Sequence, residues 1–141
     1  MIKKAPELID SAQHTGKRVL LVEDDERLLR IMAVWLTSAG HEVVPFGQFL
    51  AARAYLEAGR PDVIITDVRL GAFNGLHLVI LAKCERPEIN AIVLTGFDDP
   101  VLRRETSSAG AHYLVKPISL GELLPVIEWH PAVSAHPSQS V

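Results

Sequence analysis

The amino-acid sequence predicts an α/β fold in which five parallel strands alternate with five helices that cover both faces of the sheet. Two observations carry this prediction. Apolar runs of strand length recur along the chain, and each is followed by a stretch that reads as a helix. Glycine or proline separates most units from the next. Because successive parallel strands are joined by right-handed helical crossovers, this alternation indicates a doubly wound sheet.

The first half of the chain contains three of the strands. The first, RVLLVE at 18–23, is continuously apolar, and the helix after it ends near Gly40. HEVVPF at 41–46 is the second strand. Pro45 predicts an edge position for it, because proline cannot donate a hydrogen bond to a neighbouring strand. A second helix then leads to the third strand, PDVIITD at 61–67.

The second half repeats the pattern. A third helix begins near Asn74, and the fourth and fifth strands are NAIVLTG at 90–96 and AHYLVKP at 111–117. Between these strands a fourth helix has Asp98 or Asp99 as its predicted N-cap. The last helix follows Ser119, a second predicted N-cap, and extends towards Trp129. Pro125 within it predicts a kink or a shortened helix, since proline removes a backbone hydrogen bond.

Domain boundaries follow from where the alternation begins and ends. Residues 17–130 are predicted to form one domain, preceded by a flexible N-terminal extension at 1–16. Residues 131–141 are rich in proline and serine and are predicted to be a flexible tail or the start of a linker. Too few residues follow the last helix for a DNA-binding or enzymatic domain, so the sequence fits a single-domain protein or a fragment of a longer one.

Composition and charge limit the class of protein. The 141 residues carry a net charge of −3, which provides no basic field, so we expect no nucleic-acid binding by this domain. No apolar run approaches the ~20 residues that span a bilayer, and the N-terminus lacks the apolar core of a signal peptide. We therefore expect a cytoplasmic protein without membrane association. Its single cysteine, Cys84, is expected to be a small packing residue.

Polar side chains stand at the carboxyl ends of four predicted strands. They are Glu23 and Asp24, followed by Asp25 and Glu26, after the first strand, Asp67 after the third, Thr95 after the fourth and Lys116 after the fifth. In doubly wound sheets, ligands bind beyond these strand ends. We therefore expect carboxylates, a hydroxyl and an amine to meet at one rim. Asp25 and Glu26 have a second interpretation, as acids that favour the N-terminus of the next helix.

This set of groups suits phosphoryl chemistry. Clustered carboxylates repel one another unless a cation neutralises them, and hard oxygen ligands without histidine or cysteine favour Mg²⁺ (or Mn²⁺). A carboxylate can attack phosphorus and form an acyl phosphate. A lysine ammonium and a threonine hydroxyl then supply donors to the phosphoryl oxygens.

The segments VLLVEDD, VIITD, VLTG and YLVKP occur in the order and at the spacing of the receiver domains of bacterial two-component response regulators. The sequence resembles this family from about Arg18 to Trp129. The resemblance implies a flavodoxin-like sheet with strand order 2-1-3-4-5. It also implies a phosphoacceptor switch that catalyses only its own phosphorylation and dephosphorylation. The partners that it implies are a sensor histidine kinase or a histidine phosphotransfer protein, a downstream effector and, after phosphorylation, a second copy of the chain.

The resemblance assigns a role to each residue of the rim. It implies that Asp67 accepts the phosphoryl group, and that the metal is bound by Asp67, Asp24, the backbone carbonyl of Arg69 and, through water, Glu23. It implies that Thr95 and Lys116 contact the phosphoryl group and that Tyr113 is an aromatic switch. The peptide bond between Lys116 and Pro117 is expected to be cis.

The loop after Asp67 departs from the family pattern. Family members usually have proline four residues after the phosphoacceptor, where this chain has Gly71, and glycine predicts more backbone freedom there. Arg69 and Phe97 occupy positions that modulate phosphoryl lifetime in the family. We hypothesise that these bulky side chains restrict the attacking water and slow hydrolysis. Arg103, in the fourth helix, is expected on a solvated face.

Two other classes of function remain open at this point. Aspartate-dependent phosphohydrolases also combine an α/β fold, Mg²⁺ and a nucleophilic aspartate, but they usually carry a second aspartate two residues later, where this chain has Arg69. A degenerate receiver would bind partners without accepting a phosphoryl group. The presence of all the phosphorylation residues favours the phosphoacceptor switch over both.

Overall fold

The computed structural model describes residues 16–129 of the chain. The strands are β1 (Arg18–Val22), β2 (Glu42–Phe46), β3 (Val63–Asp67), β4 (Arg69–Leu70), β5 (Phe73–Asn74), β6 (Asn90–Thr95) and β7 (His112–Val115). The helices are α1 (Glu26–Ser38), α2 (Phe49–Ala58), α3 (Leu76–Glu85), α4 (Pro100–Ser108) and α5 (Leu120–Ile127). Apart from Gly16, the predicted N-terminal extension lies outside the described residues, as does the predicted tail at 131–141.

Five of the strands form one parallel sheet in the order β2-β1-β3-β6-β7. Counting only these strands, the order is 2-1-3-4-5, and the predicted doubly wound fold is confirmed. The strand that contains Pro45 lies at an edge, as the missing amide hydrogen requires. Because all five strands are parallel, their carboxyl ends lie at the same rim of the sheet.

The core consists of two apolar layers, one on each face of the sheet. Side chains alternate between the layers along each strand, so Ile64 packs with α2 and α3 whereas Ile65 packs with α1 and α5. All five residues of β3 are buried. Burial on both faces explains why the central strands read as continuous apolar runs. It also holds the polar residues at the strand ends on a rigid support.

The helix ends agree with the local signals in the sequence. Asp99, rather than Asp98, is the N-cap of α4, and Ser119 forms a capping box with Glu122 at the start of α5. α5 ends at Ile127, two residues after Pro125, in agreement with the shortened helix expected from that proline. The Asn90 side-chain amide donates hydrogen bonds to the last carbonyls of α5, those of Val126 (2.7 Å) and Ile127 (3.2 Å).

One expectation for α3 is wrong. Cys84 is exposed rather than packed in the core. The helix is apolar on nearly all sides, and its outer face also exposes Ile80 and Leu81. Apolar character alone therefore could not identify which side of this helix faces the sheet.

Candidate functional site

Three carboxylates lie together at the carboxyl ends of β1 and β3. Glu23 and Asp67 are buried, with 1% and 7% of their surfaces exposed, whereas Asp24 is exposed. One carboxylate oxygen from each of the three residues lies within 4.8 Å of the other two. β1 and β3 are neighbours in the sheet, so their ends bring the acids together. The structure thus joins the three side chains predicted as metal ligands.

Lys116 lies beside this cluster and contacts two of its acids. Its Nζ is 2.8 Å from Oε1 of Glu23 and 3.3 Å from Oδ2 of Asp67. Burial raises the pKa of Glu23, an effect that the hydrogen bond from Lys116 opposes and the negative charge of Asp67 reinforces. Burial alone lowers the pKa of Lys116, but its hydrogen bond and charge interactions with the two acids outweigh this and raise it. The ammonium is therefore held in its charged form.

The other acids after β1 have a structural role. Asp25 is the N-cap of α1, where its carboxylate accepts hydrogen bonds from the backbone amides of Arg27 (3.0 Å) and Leu28 (3.2 Å). Its own amide donates to Oε2 of Glu23 at 3.1 Å. Glu26 lies in the first turn of the same helix. The second interpretation of these two acids, as helix N-terminal residues, is therefore confirmed.

Asp67, Thr95, Lys116 and Arg69 line one cavity of about 430 Å³ at the rim. Thr95 ends β6, and its Oγ1 donates to the carbonyl of Phe97 (3.0 Å) and accepts from the Phe97 amide (3.2 Å). The hydroxyl is thus engaged with its own loop. Phe97 itself is 72% exposed.

Tyr113 lies on β7 next to the start of α4. The backbone amide of Asp99 donates a hydrogen bond to its hydroxyl at 2.9 Å. The guanidinium of Arg103 lies over the ring, 4.5 Å from its centroid, and is paired with Asp98 at 2.8 Å. Sequence reasoning placed Arg103 on a solvated face and missed this contact, because β7 and α4 meet only in the folded structure.

The loop after Asp67 forms a short hairpin that the sequence did not predict. β4 and β5 pair Arg69 with Asn74 and Leu70 with Phe73, and Gly71 lies in the turn with a φ of +64°. Positive φ favours glycine, which explains the residue type at this position.

Gly75 follows the hairpin and packs against the backbone of Asp67. Its amide donates to the carbonyl of Val68 at 2.7 Å. A Cβ atom at this position would overlap with the backbone carbonyl of Asp67. Glycine is therefore required by a close approach beside Asp67, a contact for which the sequence carried no signal.

The donor set fits Mg²⁺ or Mn²⁺. All three side chains of the cluster offer carboxylate oxygens, the hard ligands that these ions prefer. Within residues 16–129, no other three histidine, cysteine, aspartate or glutamate side chains are close enough to bind one ion. The peptide bond between Lys116 and Pro117, next to the cluster, is cis.

None of the helices within residues 16–129 is long and apolar enough to span a bilayer.

Comparisons with known proteins agree with this geometry. The family model of the response regulator receiver domain matches residues 19–128. The transcriptional regulatory protein PdtaR of Mycobacterium tuberculosis is 34% identical over 123 residues, which cover 84% of this chain and 58% of that protein. The DNA-binding transcriptional regulator NtrC of Azospirillum brasilense is 35% identical over 111 residues, which cover 77% of this chain and 23% of that protein.

A solved structure is also similar. The CheY-like receiver domain protein of Methanospirillum hungatei superimposes with a TM-score of 0.76 and 28% identity, over 81% of this chain and 92% of that one. The chain spans only about a quarter to somewhat over half of the two curated regulators described above. Its fold, its strand-end residues and the family match lead to one conclusion: the chain belongs to the response regulator receiver domain family.

Proposed function

We propose that this domain is a phosphorylation switch in which Asp67 accepts a phosphoryl group from a histidine kinase or a histidine phosphotransfer protein. The observation that carries the proposal is the position of Lys116, whose ammonium contacts both Glu23 and Asp67 within the acidic cluster. A cation at that point can neutralise charge on a group bound to Asp67.

The transfer follows from the chemistry of these side chains. A carboxylate oxygen of Asp67 forms a bond to phosphorus while the phosphorus–nitrogen bond of the donor breaks, and the imidazole keeps the electron pair. Lys116 neutralises negative charge on the transferred group. Asp24, Asp67, the backbone carbonyl of Arg69 and, through water, Glu23 would hold Mg²⁺. The ion, when bound, supplies further neutralisation of the phosphoryl oxygens.

The conformational response runs through Thr95 and Tyr113. The Thr95 hydroxyl exchanges its bonds with Phe97 for a bond to the phosphoryl group, which moves the loop between β6 and α4. That loop ends at Asp99, whose amide holds the Tyr113 hydroxyl. Movement of the loop therefore releases the ring to turn inward, and the surface at α4 and β7 changes for a downstream effector protein. We place this switch in the cytoplasm, where a kinase and an effector have access to it.

Acetyl phosphate labelling tests the proposal. Incubation with acetyl phosphate and Mg²⁺ is expected to give one acid-stable, base-labile phosphate, observed as a mass increase of the intact protein. Asp67→Asn and removal of Mg²⁺ by a chelator are each expected to abolish it. Asp25→Asn is the matched control, because asparagine caps a helix about as well as aspartate. This variant should be labelled like the wild type.

Three results contradict the proposal. Equal labelling of Asp67→Asn would place the phosphate elsewhere. Continuous release of phosphate from a range of monoesters would favour a phosphohydrolase. A folded protein that binds Mg²⁺ but is not labelled, either by acetyl phosphate or by a phosphohistidine donor, would favour a receiver that only binds partners.

A further inference from the structure

An aromatic stack ties the loop after Asp67 to α2. The ring of Phe73, in β5, lies parallel to that of Phe49, with the centroids 4.5 Å apart and the planes within 5°. Phe49 is the first residue of α2 and is 5% exposed, so it is anchored in the core. Phe73 remains 43% exposed, which means that the stack covers one face of its ring and leaves the other to solvent.

The hairpin that carries Phe73 separates two recesses at the rim. Arg69 and Asn74, which pair with each other, line the cavity that contains Asp67. Leu70 and Phe73, the other pair, line a second groove of about 260 Å³, and Asp24 lines the same groove. Phe73 therefore lines the groove beside Asp24, which is one predicted metal ligand. The backbone carbonyl of Arg69, a second predicted ligand, belongs to the same hairpin as Phe73.

The turn of this hairpin needs support from elsewhere. Gly71 has more conformational freedom than any residue with a side chain, so ordering it costs more entropy. The hairpin has only two residues in each strand, and isolated two-stranded hairpins are marginal in water. Leu70 is buried and provides one anchor. The stack of Phe73 on Phe49 provides the second, at the opposite strand.

We propose that Phe73 is a positioning residue for divalent cation binding: its stack on Phe49 holds the β4–β5 hairpin, and with it the Arg69 backbone, in place beside Asp24 and Asp67. The inference rests on the metal site of the proposed function. Without the stack, the hairpin populates open arrangements, and the apparent affinity is reduced to the intrinsic affinity multiplied by the fraction that remains closed. Loss of one aromatic pair corresponds to about a threefold to tenfold weaker affinity for Mg²⁺.

The test is a Mg²⁺ titration followed by the amide resonances of the site. Phe73→Ala is expected to raise the Kd for Mg²⁺ by about threefold to tenfold, whereas Phe73→Tyr, whose hydroxyl can point to solvent, should stay within about twofold of the wild type. Ile80→Ala is the matched control. It removes a side chain of similar exposure, 46%, from α3. Hydrogen exchange in chelator is the second readout, and the amides of residues 69–75 should exchange faster in Phe73→Ala only.

The outcomes separate this inference from the proposed function. A wild type without affinity for Mg²⁺ overturns the proposed function. A wild type that binds Mg²⁺, with an unchanged Kd in Phe73→Ala, overturns only the role of Phe73. Equal weakening by Phe73→Ala and Ile80→Ala also overturns it, because general destabilisation then explains the loss. If Phe73→Ala does not fold, Phe73→Leu keeps an apolar contact without the stack, and wild-type affinity in that variant overturns the inference.

Discussion

Replacing Lys116 by methionine removes the ammonium from the acidic cluster while keeping most of the apolar stem. Glu23 and Asp67 then lose the cation that lies 2.8 Å and 3.3 Å from them. At an effective dielectric constant of about 20, two unit charges ~3 Å apart attract by roughly 5 kcal/mol. The cost of desolvating the charges offsets much of this attraction, but removal of one partner of a buried pair typically costs about 3–5 kcal/mol.

The expected loss for Lys116→Met is at or just below the lower end of that range. The lysine side chain is 22% exposed, so water already screens part of the attraction. Glu23 also has a raised pKa and can take up a proton when the lysine is absent. We therefore expect the free energy of unfolding to fall by about 2–3 kcal/mol in chelator. For a domain of this size, the midpoint of thermal unfolding should fall by roughly 10 °C.

Mg²⁺ is expected to bind the Lys116→Met variant more tightly than it binds the wild type. The ammonium and the metal neutralise the same carboxylates, so loss of the lysine is expected to tighten Mg²⁺ binding by about tenfold. The assay is urea unfolding followed by circular dichroism, in chelator and in saturating MgCl₂. Lys83→Met is the control, because the Lys83 ammonium donates to the backbone carbonyls of Pro87 and Ile89 at 3.4 Å and 2.7 Å. Its loss of stability should not depend on Mg²⁺.

Two results would refute this reasoning. A loss of less than about 1 kcal/mol for Lys116→Met in chelator would mean that the two ion pairs contribute no more than exposed ones. An unchanged affinity for Mg²⁺ would mean that the lysine and the metal do not act on the same carboxylates.

Three further substitutions test other parts of the domain. Arg103→Ala removes the cation over the Tyr113 ring, an interaction worth about 0.5–1 kcal/mol at an exposed site. The population of inward-facing Tyr113, measured by NMR of a fluorine-labelled ring, should therefore rise about twofold to fivefold. An unchanged spectrum would contradict this prediction. Burial lowers the pKa of His112, so its neutral ring stabilises the fold above about pH 6.5 and the gain is lost as pH falls through the lowered pKa. His112→Phe keeps a ring against Trp129. Its free energy of unfolding, measured in urea, should therefore fall less than that of the wild type between neutral pH and about pH 5. An equal dependence of this free energy on pH in both proteins would contradict the prediction. Arg69→Ala should shorten the lifetime of the phosphorylated form severalfold, measured by decay of the labelled protein, and an unchanged decay rate rejects the hypothesis that this side chain excludes water.

The main sheet and the acidic cluster could be predicted because both follow from the pattern of apolar residues and from the order of strands and helices along the chain. Parallel strands buried on both faces must be apolar throughout, so β3 and β6 were recognisable without any knowledge of their neighbours. Their carboxyl ends must then share one rim. Polar residues at those ends, Asp67 and Lys116 among them, therefore had to approach one another even though about fifty residues separate them in the chain.

Side-chain contacts between strands and helices at this rim could not be predicted in the same way. Tyr113 on β7 meets Arg103 on α4, and Phe49 at the start of α2 meets Phe73 on β5. Neither pair is linked by a helical or strand period. β4 and β5 have two residues each, too short to leave any alternation in the sequence. Such contacts depend on the path of the chain between elements, which is set only when the core has packed.

Gly71 shows a conformational requirement that its sequence pattern did not reveal. Its place in the family pattern belongs to proline, and the loss of proline predicted more backbone freedom. Proline fixes φ near about −65°, whereas Gly71 has a φ of +64° in the turn of the hairpin. Proline at this position is therefore incompatible with the turn that brings Phe73 back onto Phe49. The glycine permits this turn, in which the stack of Phe73 on Phe49 supplies a constraint on the loop.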